Sequence, residues 1–131
     1  MQSGFSLIFG GDDFRPDEFL RDSIALVTLG ATIVRKGQRT VSGTVPDHSA
    51  VEFYDVRNGT YPLDPVSEAL DLLRSHRDEF LRLADFPGVS MRTLNIFGDS
   101  ASCLLVISSS DLGFLHGFSL GISVSPWDRQ G

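Results

Sequence analysis

Phe5-Ser-Leu-Ile-Phe-Gly-Gly-Asp-Asp-Phe-Arg-Pro-Asp-Glu-Phe-Leu20 runs an apolar strand through two glycines and an acidic turn into a helix that starts on a proline. Phe5, Leu7 and Phe9 alternate onto one side, the period of two that marks a half-buried strand. Pro16 stands where the first residue of a helix needs no N–H, and Asp17 and Glu18 follow in the first turn, where the positive helix end favours them. Phe19, Leu20 and Ile24 are then expected to face the core. The chain therefore opens as a βα unit.

Outward from this stretch, Leu26 to Val34 is aliphatic and β-branched around Gly30 and admits two readings. It is either a strand following the first helix or a helical continuation followed by a short strand. Gln38 to Ser49, with Gly43, Pro46 and Asp47 among polar residues, reads as an exposed loop. Val51 to Val56 reads as a strand, and Asn58-Gly59 supplies the positive φ angles of a tight turn. Asp64-Pro65 provides an N-cap and a first helical residue, with Glu68 favouring the positive helix end. Val66, Ala69, Leu70, Leu73, Phe80, Leu83 and Ala84 recur at helical spacing, so one helix is expected over Asp64 to Asp85, stopped by Phe86-Pro87-Gly88. Val89 to Phe97 and Ser102 to Ile107 suggest an antiparallel hairpin around Gly98-Asp99-Ser100, with Cys103 to Ile107 central in the sheet. Ser109 or Ser110 can cap a short helix that turns Leu112, Leu115 and Phe118 inward. Leu120, Ile122 and Val124 then alternate in a last strand that ends at Pro126. This order predicts an α+β fold: a single antiparallel or mixed sheet of about five or six strands, with two or three helices chiefly on one face.

A chain of 131 residues suits one domain, residues 1–131, with one core. Hydrophobic residues at 41% and charged residues at 21% are globular values, with no tract that suggests disorder. The apolar run Cys103 to Ile107 is far shorter than the roughly 20 residues that cross a bilayer. Met1-Gln-Ser-Gly lacks the basic start of a signal peptide, so a cytoplasmic location and no membrane contact are expected. The single Cys103 forms no internal disulfide and reads as a small buried hydrophobe. The net charge of -6 opposes attraction to phosphate backbones, which argues against nucleic acid, and favours encounter with a basic protein. Asp12, Asp13, Asp17, Glu18 and Asp22 crowd the first turn and helix, while Arg35, Lys36 and Arg39 form a local basic cluster.

Gly10-Gly-Asp-Asp-Phe14 resembles the signature of diguanylate cyclases, whose glycines admit phosphates and whose acids bind metal. In that family the motif lies on a hairpin well inside a larger domain, whereas here nine residues precede it and a Pro16-led helix follows. Gly117-Phe-Ser-Leu-Gly121 matches the G-x-S-x-G pattern of serine hydrolases, in which the serine stands on a turn from strand into helix. Ser119 is expected on the reverse, a helix-to-strand turn, and no histidine follows it. His48, His76 and His116 lack the spacing of a zinc site, so neither metal nor cofactor is expected. Asn58-Gly-Thr60 has the form of a glycosylation sequon, but the turn is the better reading.

Read as a series, Phe9-Gly-Gly-Asp-Asp-Phe14, Arg15-Pro16-Asp-Glu-Phe19, Lys36-Gly37, Leu63-Asp-Pro65 and the helix-strand stretch Leu112 to Val124 resemble a bacterial family of small domains of unknown function. Members have an early strand, an acidic turn and an F-x-P helix start. Arg15 departs from the pattern, since Asp often precedes the first proline there as an N-cap. The resemblance implies a fold and a bacterial origin, and it carries over no catalytic residue. Proximity of such proteins to toxins suggests an immunity role. The expectation is a non-enzymatic protein-interaction domain, in an immunity or regulatory role, with a protein partner or a second copy of itself. The alternative is a small-molecule or nucleotide binder with its site at Asp12, Asp13, Asp17 and Glu18.

Overall fold

Strand β1 (Gln2–Gly11) is paired antiparallel on both sides, with β3 (Ser49–Asn58) and with β4 (Met91–Gly98). The computed structural model describes residues 2–58, 64–98 and 107–126. The short β2 (Thr32–Val34) extends the sheet beyond β3, and β5 (Gly121–Pro126) lies parallel to β4, giving one five-stranded mixed sheet of order β2-β3-β1-β4-β5. The parallel pair requires a crossover, and helix α5 (Ser109–His116) lies within it. The fold is α+β, with helices packed against the sheet.

The register explains which face they cover. Phe5, Leu7 and Phe9 point to the same side as Val51, Phe53, Leu94, Ile96 and Ile122. All but Ile122 are nearly inaccessible, and Ile122 packs against them partly buried. Phe19 of α1 (Pro16–Leu20), Leu26 of α2 (Ile24–Thr28), Val66, Ala69, Leu70 and Leu73 of α3 (Pro65–Ser75), Phe80 and Leu83 of α4 (Arg77–Ala84) and Leu115 of α5 join the same cluster. The opposite face carries Gly4, Ser6, Ile8 and Gly10 of β1 together with Tyr54, Thr93 and Asn95. Ser6 is buried there and accepts a hydrogen bond from Asn95 at 3.1 Å. At about 25 cal/mol per Å2, the apolar face is the main source of stability.

Several sequence expectations need correction. The stripe over Asp64 to Asp85 is two helices. His76, at φ −128° and ψ 38°, breaks it. The break falls in the polar run Arg74 to Glu79, where leaving the helix sacrifices no core residue, and Phe80 beyond it packs between the rings of Phe9 and Phe53 at 5.9 and 5.1 Å. Asp64 does cap α3, accepting from the Ser67 amide at 3.0 Å, with Pro65 at its first position. Leu26 to Val34 follows the second reading, as α2 and then β2. Ser108, rather than Ser109 or Ser110, caps α5 by accepting from the Asp111 amide at 3.0 Å. Leu112 is exposed and Phe114 packs inward in its place, because the face of α5 centred on Leu115 meets the core. The Asn58-Gly59 turn, the hairpin with Ser102 to Ile107 and Cys103 fall wholly or partly outside the described residues.

Backbone crowding accounts for the paired glycines. A Cβ on Gly10 would lie 2.6 Å from the Ser49 carbonyl oxygen, and one on Gly11 would lie 2.1 Å from that of Gly88. Gly88 has φ +90°, and a Cβ there would lie 2.4 Å from the Asp13 carbonyl oxygen. These contacts close the end of β1 against its neighbours, with the Ser90 amide donating to the Gly10 carbonyl at 2.9 Å. Gly11→Ala is expected to destabilise by at least about 2 kcal/mol, read as a lower urea midpoint, because backbone must move.

Ser119 holds a positive φ of 56° for a different reason. The Leu120 amide donates to the Leu115 carbonyl and the Ser119 amide to that of His116. This is a Schellman stop, with Leu115 and Leu120 both buried. The serine thus stands at a helix stop leading into a strand, the reverse of the turn that a hydrolase nucleophile occupies. Ser119→Gly is expected to stabilise by about 0.5–1 kcal/mol, because glycine adopts the left-handed region without a Cβ clash; thermal and urea denaturation check it.

Candidate acidic cleft beside β3

The four acids of the first turn and helix stand in different surroundings. Asp12 and Asp13 are exposed in the turn after β1. Asp17 accepts two hydrogen bonds from Arg35, at 2.7 and 3.1 Å, and Glu18 pairs with Arg15 at 3.3 Å. The Arg35 contact ties α1 to the start of the loop before β3. Arg15, at the N-cap position of α1, makes no side-chain cap there. Asp12 borders a shallow hollow of about 220 Å3 with Gly11, Asp47, His48, Ser90 and Met91, in which His48 Nδ1 lies 2.8 Å from Asp47. At Gly10 and Gly11 the space that a Cβ would need is taken by the protein's own backbone.

A larger cleft, about 670 Å3, lies between β3 and α3. Phe5, Phe53, Leu29 and Leu72 give it apolar walls, and Tyr54, Asp55, Glu68, Asp71 and Ser75 complete it. Its position follows from strand lengths. β2 pairs only with Ala50, Val51 and Glu52, whereas β3 continues to Asn58. α2 gives way at Gly30, whose φ is +81°, and the chain joins the sheet only at Thr32. The outer side of β3 from Phe53 onward thus has no strand partner among the described residues.

Register places Asp55 opposite Phe5, on the helix-covered side of the sheet. Glu68 and Asp71 approach from α3, on a helix whose apolar residues Val66, Ala69, Leu70 and Leu73 hold it to the core. Asp71 lies 3.7 Å from Arg74, which is shared with Asp111 at 3.7 Å and lies over the Phe114 ring at 4.9 Å. Asp55 and Glu68 are each engaged by another group. Tyr54 donates to Glu52 at 3.0 Å, and partial burial, then the Glu52 charge, pushes its hydroxyl above the ordinary phenol range. It therefore remains a donor at neutral pH.

Polar contacts elsewhere tie the helices to one another and to the sheet. Ser23, buried between α1 and α2, donates to Glu79 at 2.6 Å and accepts from Arg82, which also donates to the Phe19 carbonyl at 3.1 Å and lies over the Phe19 ring at 4.2 Å. Arg92 donates to the Ala84 carbonyl at 2.6 Å and to that of Val89 at 3.0 Å, closing the end of α4. A cation at a helix C-terminus also complements its dipole.

Chemically, the cleft joins apolar surface to hydrogen-bond acceptors of negative charge. Among the described residues no group of three or more His, Cys, Asp or Glu can hold a metal ion, and no helix is long and apolar enough to cross a membrane. Asp55 comes from a different segment than Glu68 and Asp71, which lie one turn apart on α3, and no motif announced that the strand would meet the helix there. The alternation of β3 and the face of α3 were the available signals. Comparison with protein-family models, curated proteins and solved structures gives no match to this chain.

The hydrogen bonds from Arg35 hold the Asp17 carboxyl below its ordinary range. A carboxylate depressed on folding contributes fully above its unfolded pKa of about 3.9 and loses that contribution as pH falls through the folded value. Both side chains are largely exposed, so the pair is worth about 0.5 kcal/mol at most after screening. Arg35→Ala is expected to raise the Asp17 titration toward the unfolded value, followed by carboxyl-carbon NMR, and to change stability at pH 7 only slightly.

Proposed function

We propose that this chain is a non-enzymatic protein-interaction domain whose cleft between β3 and α3 takes a positively charged, partly apolar segment of another protein. The observation that carries the reading is a cleft of about 670 Å3 at which the exposed Leu29 and half-buried Leu72 meet acidic side chains, the exposed Asp71 among them. Lysine and arginine combine an apolar stem with a charged head and match that combination. The net charge of -6 adds long-range attraction, which speeds encounter with a basic partner and suppresses acidic ones. An immunity or regulatory protein that binds a basic partner is the biological role this chemistry fits.

Titration of the isotopically labelled protein with a lysine- and leucine-containing peptide tests it. NMR shifts are expected at Phe53 and Leu72, with affinity falling about tenfold or more between low and moderate salt as charges are screened. The double variant Glu68→Gln, Asp71→Asn should lose that binding while Asp12→Asn, Asp13→Asn retains it. Equal affinity for a glutamate version of the peptide, or shifts confined to the first turn, defeats the reading.

A further inference from the structure

We infer that Ser42, at the tip of the loop between β2 and β3, accepts a phosphoryl group from an arginine-directed serine/threonine kinase that uses ATP, a modification site separate from the cleft. Arginine stands three residues before a hydroxyl at two places in the chain, Arg39 before Ser42 and Arg57 before Thr60. Ser42 also has Lys36 and Arg35 upstream, with no carboxylate from Arg35 to Pro46, whereas Thr60 follows Glu52 and Asp55 and lies outside the described residues. Kinases choose substrates by such charge patterns, through carboxylates that line the peptide groove and take the arginine. On a chain of net charge -6, the loop is the stretch that fits a groove of that sign.

The geometry opens the tip to an enzyme. Arg39 and Ser42 are exposed, Val41 between them fully so, and no residue from Arg35 to His48 belongs to the core. Two backbone bonds shape the tip, from the Thr40 amide to the Thr44 carbonyl at 2.8 Å and from the Gly43 amide to the Thr40 carbonyl at 2.9 Å. Breaking them frees a short extended segment for a kinase groove and costs the sheet nothing. The base of the loop stays fixed: Arg35 holds Asp17, the Lys36 amide donates to the Ser49 hydroxyl at 2.9 Å, and the Gly37 amide donates to the Pro46 carbonyl at 2.9 Å. In the transfer, the Ser42 oxygen bonds to the γ-phosphorus of ATP, the bond from that phosphorus to the bridging oxygen breaks, ADP leaves, and the hydroxyl proton passes to the kinase's catalytic aspartate. The tip then holds its product. Ser42 Oγ lies 2.9 Å from the Thr40 hydroxyl and 3.3 Å from that of Thr44, and Arg39 donates to the neighbouring Gly43 carbonyl at 2.9 Å. A phosphate there draws the guanidinium to itself and adds about −1.5 to −2 of charge at neutral pH, which offsets most of the loop's positive charge.

The test incubates the whole chain with magnesium, ATP and the catalytic domain of an arginine-directed serine/threonine kinase, and locates the product by mass spectrometry of fragments. One phosphoryl group at Ser42 is expected. Ser42→Ala should remove it, and Thr40→Ala should leave it in place. Arg39→Gln, whose amide NMR spectrum should remain that of the folded chain, is expected to lower kcat/KM for the transfer at least about tenfold, because the kinase loses a charge-assisted contact. Phosphorus NMR reads the second half: the phosphate's second ionisation is expected below its ordinary value of about 6, since Arg39 favours the dianion, and to return toward it in Arg39→Gln chain phosphorylated to completion. No transfer, transfer to Thr40, Thr44 or Thr60, or an equal rate for Arg39→Gln overturns the assignment. A phosphate that titrates alike with and without Arg39 overturns the product contact. The peptide titration of the cleft is read separately, so either result stands without the other.

Discussion

Antiparallel pairing on both sides of β1 is the constraint from which the rest of the molecule follows. With β3 and β4 alongside, its ten residues fix the register of the central sheet, and a slip of one residue would exchange Phe5, Leu7 and Phe9 for Ser6 and Ile8 on the core face. Phe80 can then pack against both Phe9 and Phe53. The same pairing brings the end of β1 so close to Ser49 and Gly88 that residues 10 and 11 have no room for side chains. The acidic turn that follows is pushed to the surface as a consequence. Its resemblance to a nucleotide-binding signature thus has a packing explanation.

Unequal strand lengths produce the cleft. β3 has ten residues and β2 three, so the sheet ends raggedly on that side and α3 faces backbone that β2 does not reach. An edge of this kind invites association, and a charge pointing toward the covered side is one device that limits it. Asp55 occupies that position. Ser23, Glu79 and Arg82, with Arg92 at the end of α4, tie α4 to the first helices and to β4.

Local signals were sufficient wherever one turn of backbone decided the outcome. Alternation identified β1, β3 and β5, and Asp64-Pro65 marked the start of α3. They failed where a distant contact decided. The stripe from Val66 to Ala84 is compatible with one helix, yet the chain breaks at His76, and Phe80 beyond the break packs against both Phe9 and Phe53. Leu112 suits the inward face of α5 by hydropathy alone, yet the sheet lies toward Leu115 and Phe114.

The amino-acid order by itself determined the α+β class, the single apolar face of the central strand and the surplus of negative charge, because each depends on residue type and spacing within one segment. Tertiary structure decided which acids stand together. Asp17 and Glu18, adjacent in the chain, are drawn to separate arginines, whereas Asp55 on a strand and Glu68 and Asp71 on a helix border one cleft. The physical reason is that strand register and helix packing set the distance between side chains from different segments, and neither is encoded in any one of those segments alone.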